Sequence, residues 1–136
     1  MSSTENGKKI LIIDDEPAVV SYLEMVLHDA GYRTVSAADG QEGMEIVRHE
    51  LPDLVTLDIS MPKASGTRFY KDIKTDPDLK ATPVIIVTAV TGYGGDPYGY
   101  ERFLSQRRLV PPPDGFLPKP IDREEFLAKV KELLEG

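Results

Sequence analysis

Short apolar runs alternate along the chain with longer stretches in which apolar residues recur every three or four positions. Lys8-Lys9 lead into Ile10-Leu11-Ile12-Ile13, a largely β-branched run of the kind that a strand covered on both faces requires. It stops at Asp14-Asp15-Glu16, and Pro17 suits the first turn of a helix. Val19, Val20, Leu23, Val26, Leu27 and Ala30 then follow at helical spacing, with Gly31 where a C-terminal cap belongs. A second cycle predicts a short strand near 33–37, a turn at Asp39-Gly40 and a helix over about residues 41–50. Leu54-Val55-Thr56-Leu57 is a third strand ending at Asp58, and a loop through Met61-Pro62 and Gly66 opens a helix to about Lys74. Val84-Ile85-Ile86-Val87 is a fourth buried strand ending at Thr88, and a short last strand around Phe116-Leu117 precedes Lys119-Pro120. In the final helix Asp122 is the expected N-cap, Glu125 falls at the capping-box position, and Phe126, Val130, Leu133 and Leu134 form the apolar stripe.

Strand–helix alternation with buried apolar strands predicts a doubly wound parallel sheet with helices on both faces. The interval 89–113 departs from that rhythm. It carries Gly92, Gly94, Gly95, Pro97 and Gly99, ends in Pro111-Pro112-Pro113, and holds Tyr93, Tyr98, Tyr100 and Phe103, four of the ten aromatic residues. Asp96-Pro97 could start a short helix reaching Arg107 or Arg108. Its local charge is +1 (Arg102, Arg107 and Arg108 against Asp96 and Glu101), in a chain of −7, so it is expected to be a partner or self-association surface.

At 136 residues the expectation is one domain, residues 8–136, behind a polar tail at 1–7. The absence of Cys excludes a disulfide framework and a thiolate metal site. No apolar run is long enough for a membrane span or a signal-peptide core, and the net charge of −7 argues against a general phosphate-backbone binder. A cytoplasmic protein with no direct nucleic-acid binding and no membrane contact is expected.

In an open parallel sheet, ligands bind beyond the carboxyl ends of the strands. Asp14 and Asp15 follow the first strand, Asp58 the third, Thr88 the fourth and Lys119 the fifth. Singly, each has an ordinary explanation as a cap, a turn residue or a surface lysine. Together they are informative. Three carboxylates at one sheet edge repel, so they need a cation or raised pKa values. Oxygen ligands without Cys favour a hard ion such as Mg2+. An aspartate beside such an ion can be a nucleophile toward a phosphoryl group, whose oxygens then need a positive charge and a hydroxyl donor. Lys119 and Thr88 offer both.

The ordered set Asp14-Asp15, Asp58 with Met61-Pro62 and Gly66, Thr88-Ala89, and Lys119-Pro120 resembles the receiver domain of two-component response regulators over about residues 8–134. The resemblance implies a flavodoxin-like (βα)5 fold with strand order 2-1-3-4-5. It also implies that Asp58 accepts phosphate from a histidine kinase or phosphotransfer protein, so that the chain is no enzyme beyond its own phosphorylation and dephosphorylation. Asp15, Asp58 and the carbonyl of Ser60 would ligate Mg2+, with Asp14 acting through water. Thr88 and Lys119 would contact phosphoryl oxygens, Phe116 would be the switch aromatic, and the Lys119-Pro120 bond would be cis. Ser60 and Val90 occupy the positions that tune hydrolysis of the phosphorylated state. The family's fourth helix, fifth strand and fifth helix commonly form an output or phosphorylation-dependent dimer face, but here the small-residue motif before the fifth strand is replaced by Pro111-Pro112-Pro113-Asp114-Gly115.

Other readings fit less well. Asp14-Asp15-Glu16 would repel the phosphate of a flavin mononucleotide, the Asp-x-Asp motif of haloacid-dehalogenase-type phosphatases is missing, and no Walker-type glycine loop occurs. His49, at the end of a short helix, and His28 read as exposed residues. The rival from another class is a degenerate receiver acting as a phosphorylation-independent interaction module. A DNA-binding domain of the kind often fused to receivers would have to lie beyond Gly136.

Overall fold

The computed structural model describes residues 7–61, 65–89 and 113–135. Five strands, β1 (Lys9–Ile13), β2 (Arg33–Ala37), β3 (Leu54–Asp58), β4 (Val84–Ala89) and β5 (Gly115–Lys119), pair in parallel in the order β2-β1-β3-β4-β5. This is the flavodoxin-like α/β fold expected. Among the described residues four helices accompany them: α1 (Pro17–Asp29), α2 (Gly40–Glu50), α3 (Ser65–Thr75) and α4 (Arg123–Glu135). The tail before Gly7, and residues 90–112 with the helix anticipated from Asp96, lie outside the described residues.

The side-chain alternation of each strand sorts the core into two layers. Leu11, Ile13, Val55, Leu57, Val84 and Ile86 meet Val47, Phe69 and Ile73 of α2 and α3 on one face. Ile10, Ile12, Leu54, Ile85 and Val87 meet Leu23, Val26 and Leu27 of α1, and Phe126 and Val130 of α4, on the other. Both faces of the central strands are therefore dry, which is why their sequences are continuous apolar runs rather than alternating ones. Burying each such side chain stabilises the fold by about 1.5–3 kcal/mol, and this fixes the strand register rigidly.

The helix ends follow local chemistry. Asp39 accepts the Glu42 N–H at 2.8 Å, and Glu42 Oε1 accepts the Ala38 N–H at 2.8 Å, a reciprocal cap on α2. Asp122 Oδ2 accepts the Glu125 N–H at 2.8 Å at the start of α4. Gly31 has φ +94, a left-handed turn that costs little without a Cβ. At the end of α2 the same conformation falls on Leu51, with φ 48 and 67% of its surface exposed. Leu51 packs against little and carries left-handed strain, so Leu51→Gly is expected to stabilise the protein by about 0.5–1 kcal/mol. A urea midpoint that fails to rise would show that the strain is absent.

Candidate functional site

The sheet delivers the site residues to one edge. Asp14 continues the β1 ladder, its N–H donating to Ala37 O at 3.1 Å, and Asp58 ends β3 opposite Val87. The next residue, Ile59, donates its N–H to Val87 O at 3.1 Å, so the chain on both sides of Asp58 is held. In β5, Lys119 pairs with Ala89 and Pro118 with Thr88. The Lys119-Pro120 bond is cis, as expected.

Lys119 Nζ sits among three carboxylates: 3.1 Å from Glu16 Oε1, 3.2 Å from Asp14 Oδ2 and 3.3 Å from Asp58 Oδ2. The ligand oxygens of Asp14, Glu16 and Asp58 lie within 4.8 Å of one another. Asp14 and Asp58 are buried, with 4% and 2% exposure, whereas Glu16 is exposed. The second oxygen of each buried aspartate is tied down by backbone: Asp14 Oδ1 accepts the Glu16 N–H, and Asp58 Oδ1 accepts the Ser60 N–H, both at 2.9 Å. The Ser60 hydroxyl donates to the same Asp58 oxygen in a short hydrogen bond.

Three negative charges around one ammonium leave an excess of two. Burial pushes the Asp14 pKa up, the neighbouring Asp58 charge adds to it, and the Glu16 N–H and Lys119 work against it. For Lys119, burial favours the neutral amine, but Asp58, Asp14 and the hydrogen bonds to Glu16 and Asp14 outweigh it and hold the pKa above the ordinary lysine value. The signs differ. Lys119 contributes stability that is full below the unfolded lysine pKa and is lost as pH rises through the folded one. Asp14 carries a cost that sets in as pH rises above the unfolded aspartate pKa and is complete above the raised folded one. A bound cation would relieve it.

The structure therefore joins three of the expected residues, Asp14, Asp58 and Lys119. It adds Glu16, which the sequence pattern had suggested only as part of the stop after the first strand. The carboxylate of Asp15 lies outside the cluster; it is exposed and lines a groove of about 860 Å³ with Asp39, Met44, Met61, Arg68 and Phe69. The chain bends at Asp15 just past β1, where the Glu16 N–H donates to Asp14 Oδ1, and this turn brings the Glu16 side chain rather than that of Asp15 to Lys119. Phe116 is half-buried against the core layer shared by α2 and α3. The side chain of Thr88, together with Pro62 and Val90, lies outside the described residues. His28 and His49 are exposed and take no part in the cluster.

The family model for the response regulator receiver domain matches residues 10–131. The chain belongs to this family. Its receiver sequence is 33% identical over 130 residues to one named probable transcriptional regulator ycf27 from Guillardia theta, covering 96% of this chain and 46% of that one. The receiver thus spans about half the length of the first curated relatives it matches. Among solved structures, it superposes on the chemotaxis response regulator CheY4 of Vibrio cholerae with a TM-score of 0.78 at 26% identity, over 94% of this chain and 99% of that one. It shares its fold, at a TM-score of 0.78 and 22% identity over 96% and 99% of the two chains, with the receiver domain of a sensor histidine kinase from Pseudomonas aeruginosa PAO1. That structure holds a magnesium ion in its active-site cleft.

One receiver glycine is fixed by the site itself. A Cβ on Gly66 would lie 2.5 Å from Asp58 O and 2.9 Å from the Ile59 Cα. These are backbone atoms that cannot turn away, so only glycine lets α3 pack directly behind Asp58.

Proposed function

We propose that Asp58 is the phosphoacceptor of this receiver domain. The observation that carries the reading is the state of its carboxylate: buried, one oxygen held by Ser60, the other facing the only ammonium in contact with it among the described residues. In the transfer an Asp58 oxygen bonds to phosphorus as the donor's bond to phosphorus breaks. A phosphohistidine donor leaves as imidazole, taking up one proton; acetyl phosphate leaves as acetate. Lys119 neutralises the added oxygens, and by the family likeness Thr88 donates a hydroxyl. Most of the rate in such a transfer comes from positioning and electrostatics, which this rigid sheet edge supplies.

The donor set fits Mg2+. It consists of hard carboxylate oxygens, and the Asp14 carboxylate is buried at a cost that a cation removes. Asp14, Asp58 and the Ser60 carbonyl would hold the ion, together with Asp15, which is exposed and whose rotamer is not fixed by packing. When bound, the ion supplies charge neutralisation for the transferring phosphoryl group. Mg2+ is expected to stabilise the protein by about 1.4 kcal/mol at ten times its Kd. Asp15→Asn should lose most of this gain. A melting temperature that ignores millimolar Mg2+ would exclude the site.

The partner on the input side is a histidine kinase or phosphotransfer protein in the cytoplasm, and the chain turns over no substrate besides its own phosphoryl group. On the output side we place the downstream partner, or a second phosphorylated copy, on the aromatic-rich segment 89–113. The test is incubation with acetyl phosphate and Mg2+, followed by reductive trapping, which converts an aspartyl phosphate to homoserine. The expected product is homoserine at position 58. Absence of any Mg2+-dependent phosphoryl addition would replace this reading with the phosphorylation-independent interaction module.

A further inference from the structure

An ammonium has three N–H bonds, and Lys119 has three carboxylate oxygens at 3.1–3.3 Å. It donates hydrogen bonds to Glu16 and Asp58 and forms an ion pair with Asp14. A phosphoryl group on Asp58 takes the place of the Asp58 carboxylate at this ammonium and brings several oxygens, so a further N–H serves it only if Asp14 or Glu16 gives way. The three differ in what leaving costs. Asp58 loses its carboxylate charge as its oxygen bonds to phosphorus, so nothing is stranded there, whereas the Asp14 side chain is 3% exposed and stripping the cation from it would strand a buried charge. Glu16 is 61% exposed, and water can replace the ammonium at its carboxylate. Its backbone is already fixed by the Glu16 N–H donated to Asp14, so the side chain can swing out while the turn stays in place.

We propose that Glu16 is a placeholder on Lys119: its carboxylate occupies the N–H that a phosphoryl oxygen takes over, and its charge limits how readily phosphate-like anions enter the site. This inference rests on Asp58 as the phosphoacceptor. It assigns Glu16 to Lys119 rather than to the metal ion, although its oxygen lies near those of Asp14 and Asp58. In the unphosphorylated protein Glu16 holds an N–H of Lys119 in a 3.1 Å hydrogen bond. On phosphorylation Glu16 is released to solvent, beside a group of its own sign.

The experiment compares wild type with Glu16→Gln and Glu16→Ala, both of which remove the charge at an exposed position. Beryllofluoride, a mimic of the aspartyl phosphoryl group, is titrated calorimetrically in saturating Mg2+, and Mg2+ is titrated alone. Both variants are expected to bind beryllofluoride about fivefold more tightly, the size of a strong exposed ion pair. Labelling by acetyl phosphate should accelerate by a similar factor, with the Kd for Mg2+ changed by less than about twofold. A purely structural role would move both affinities together. Unchanged or weaker beryllofluoride binding overturns the proposal, as does a matching loss of Mg2+ affinity, which would make Glu16 a metal ligand. If wild type labels at Asp58 and the variants gain nothing, the placeholder alone fails. If wild type takes up neither phosphoryl group nor beryllofluoride, the phosphoacceptor assignment fails and this inference with it.

Discussion

Asp58→Asn is expected to lose all acyl-phosphate labelling while the β2-β1-β3-β4-β5 sheet remains intact. Asparagine has the same shape, and its amide oxygen can still accept the Ser60 N–H that Asp58 Oδ1 accepts at 2.9 Å. What disappears is the nucleophile. Two electrostatic changes oppose each other. Asp14 loses a like-charged neighbour, which eases its burial, and Lys119 loses one of its three counter-charges. The net effect on stability should stay within about 1 kcal/mol either way, a shift of a few degrees in melting temperature. The Mg2+ response should shrink, since one of the oxygen donors has lost its charge. The measurement is radiolabelling from a phosphodonor together with a thermal melt. Labelling that persists in this variant would move the phosphoacceptor to another carboxylate of the cluster, Asp14 or Glu16 being nearest.

The strands were legible because a parallel sheet covered on both faces writes itself as continuous apolar runs, and Ile10 to Ile13 or Val84 to Val87 has few other readings. The site residues were legible for a related reason. Asp14 and Asp58 come directly after such runs, so the strand end that stops burial also locates the side chain at the ligand-binding edge. Legibility failed where an outcome depends on the direction of one side chain. Glu16 joins Lys119 because it is the extended residue before α1, with φ −101, two positions along from Asp14. The Ser60 hydroxyl on Asp58 depends on a tight turn after β3 that leaves no trace in the apolar pattern.

Lys74 shows the same limit away from the site, since at the end of a helix pattern a lysine reads as a solvated residue. In the structure its side chain is 6% exposed. Its ammonium donates to Thr82 O at 2.8 Å, Lys80 O at 3.3 Å and Asp114 Oδ2 at 3.4 Å. No sequence period encodes that arrangement, because the acceptors come from two loops that meet only once the sheet has formed.

Lys74→Met should therefore destabilise the protein by about 2–3 kcal/mol, the worth of hydrogen bonds to a buried charge, lowering the melting temperature by about 10 °C. Methionine fills the space of the lysine stem, so the loss is polar rather than a cavity. Asp114 Oδ2 also accepts the Val84 N–H at 2.9 Å, and the Asp114 N–H donates to Val84 O at 3.1 Å. Lys74 thus ties the end of α3 to the point where β4 and β5 begin to pair. Tyr70, one turn earlier and fully buried, has its phenol pKa raised by burial and then by the Asp114 charge, so the hydroxyl stays neutral beside this pair. Asp114 itself keeps 37% exposure and can be solvated, which places Asp114→Asn well below Lys74→Met in cost. These contacts sit at the amino ends of β4 and β5, while Asp58 and Lys119 sit at carboxyl ends. Phosphoryl labelling well below the melting temperature should consequently survive in Lys74→Met. A urea midpoint equal to that of wild type would mean that water satisfies the two carbonyls as well as the ammonium does. A loss of labelling in the folded variant would instead couple this tie to the phosphorylation edge.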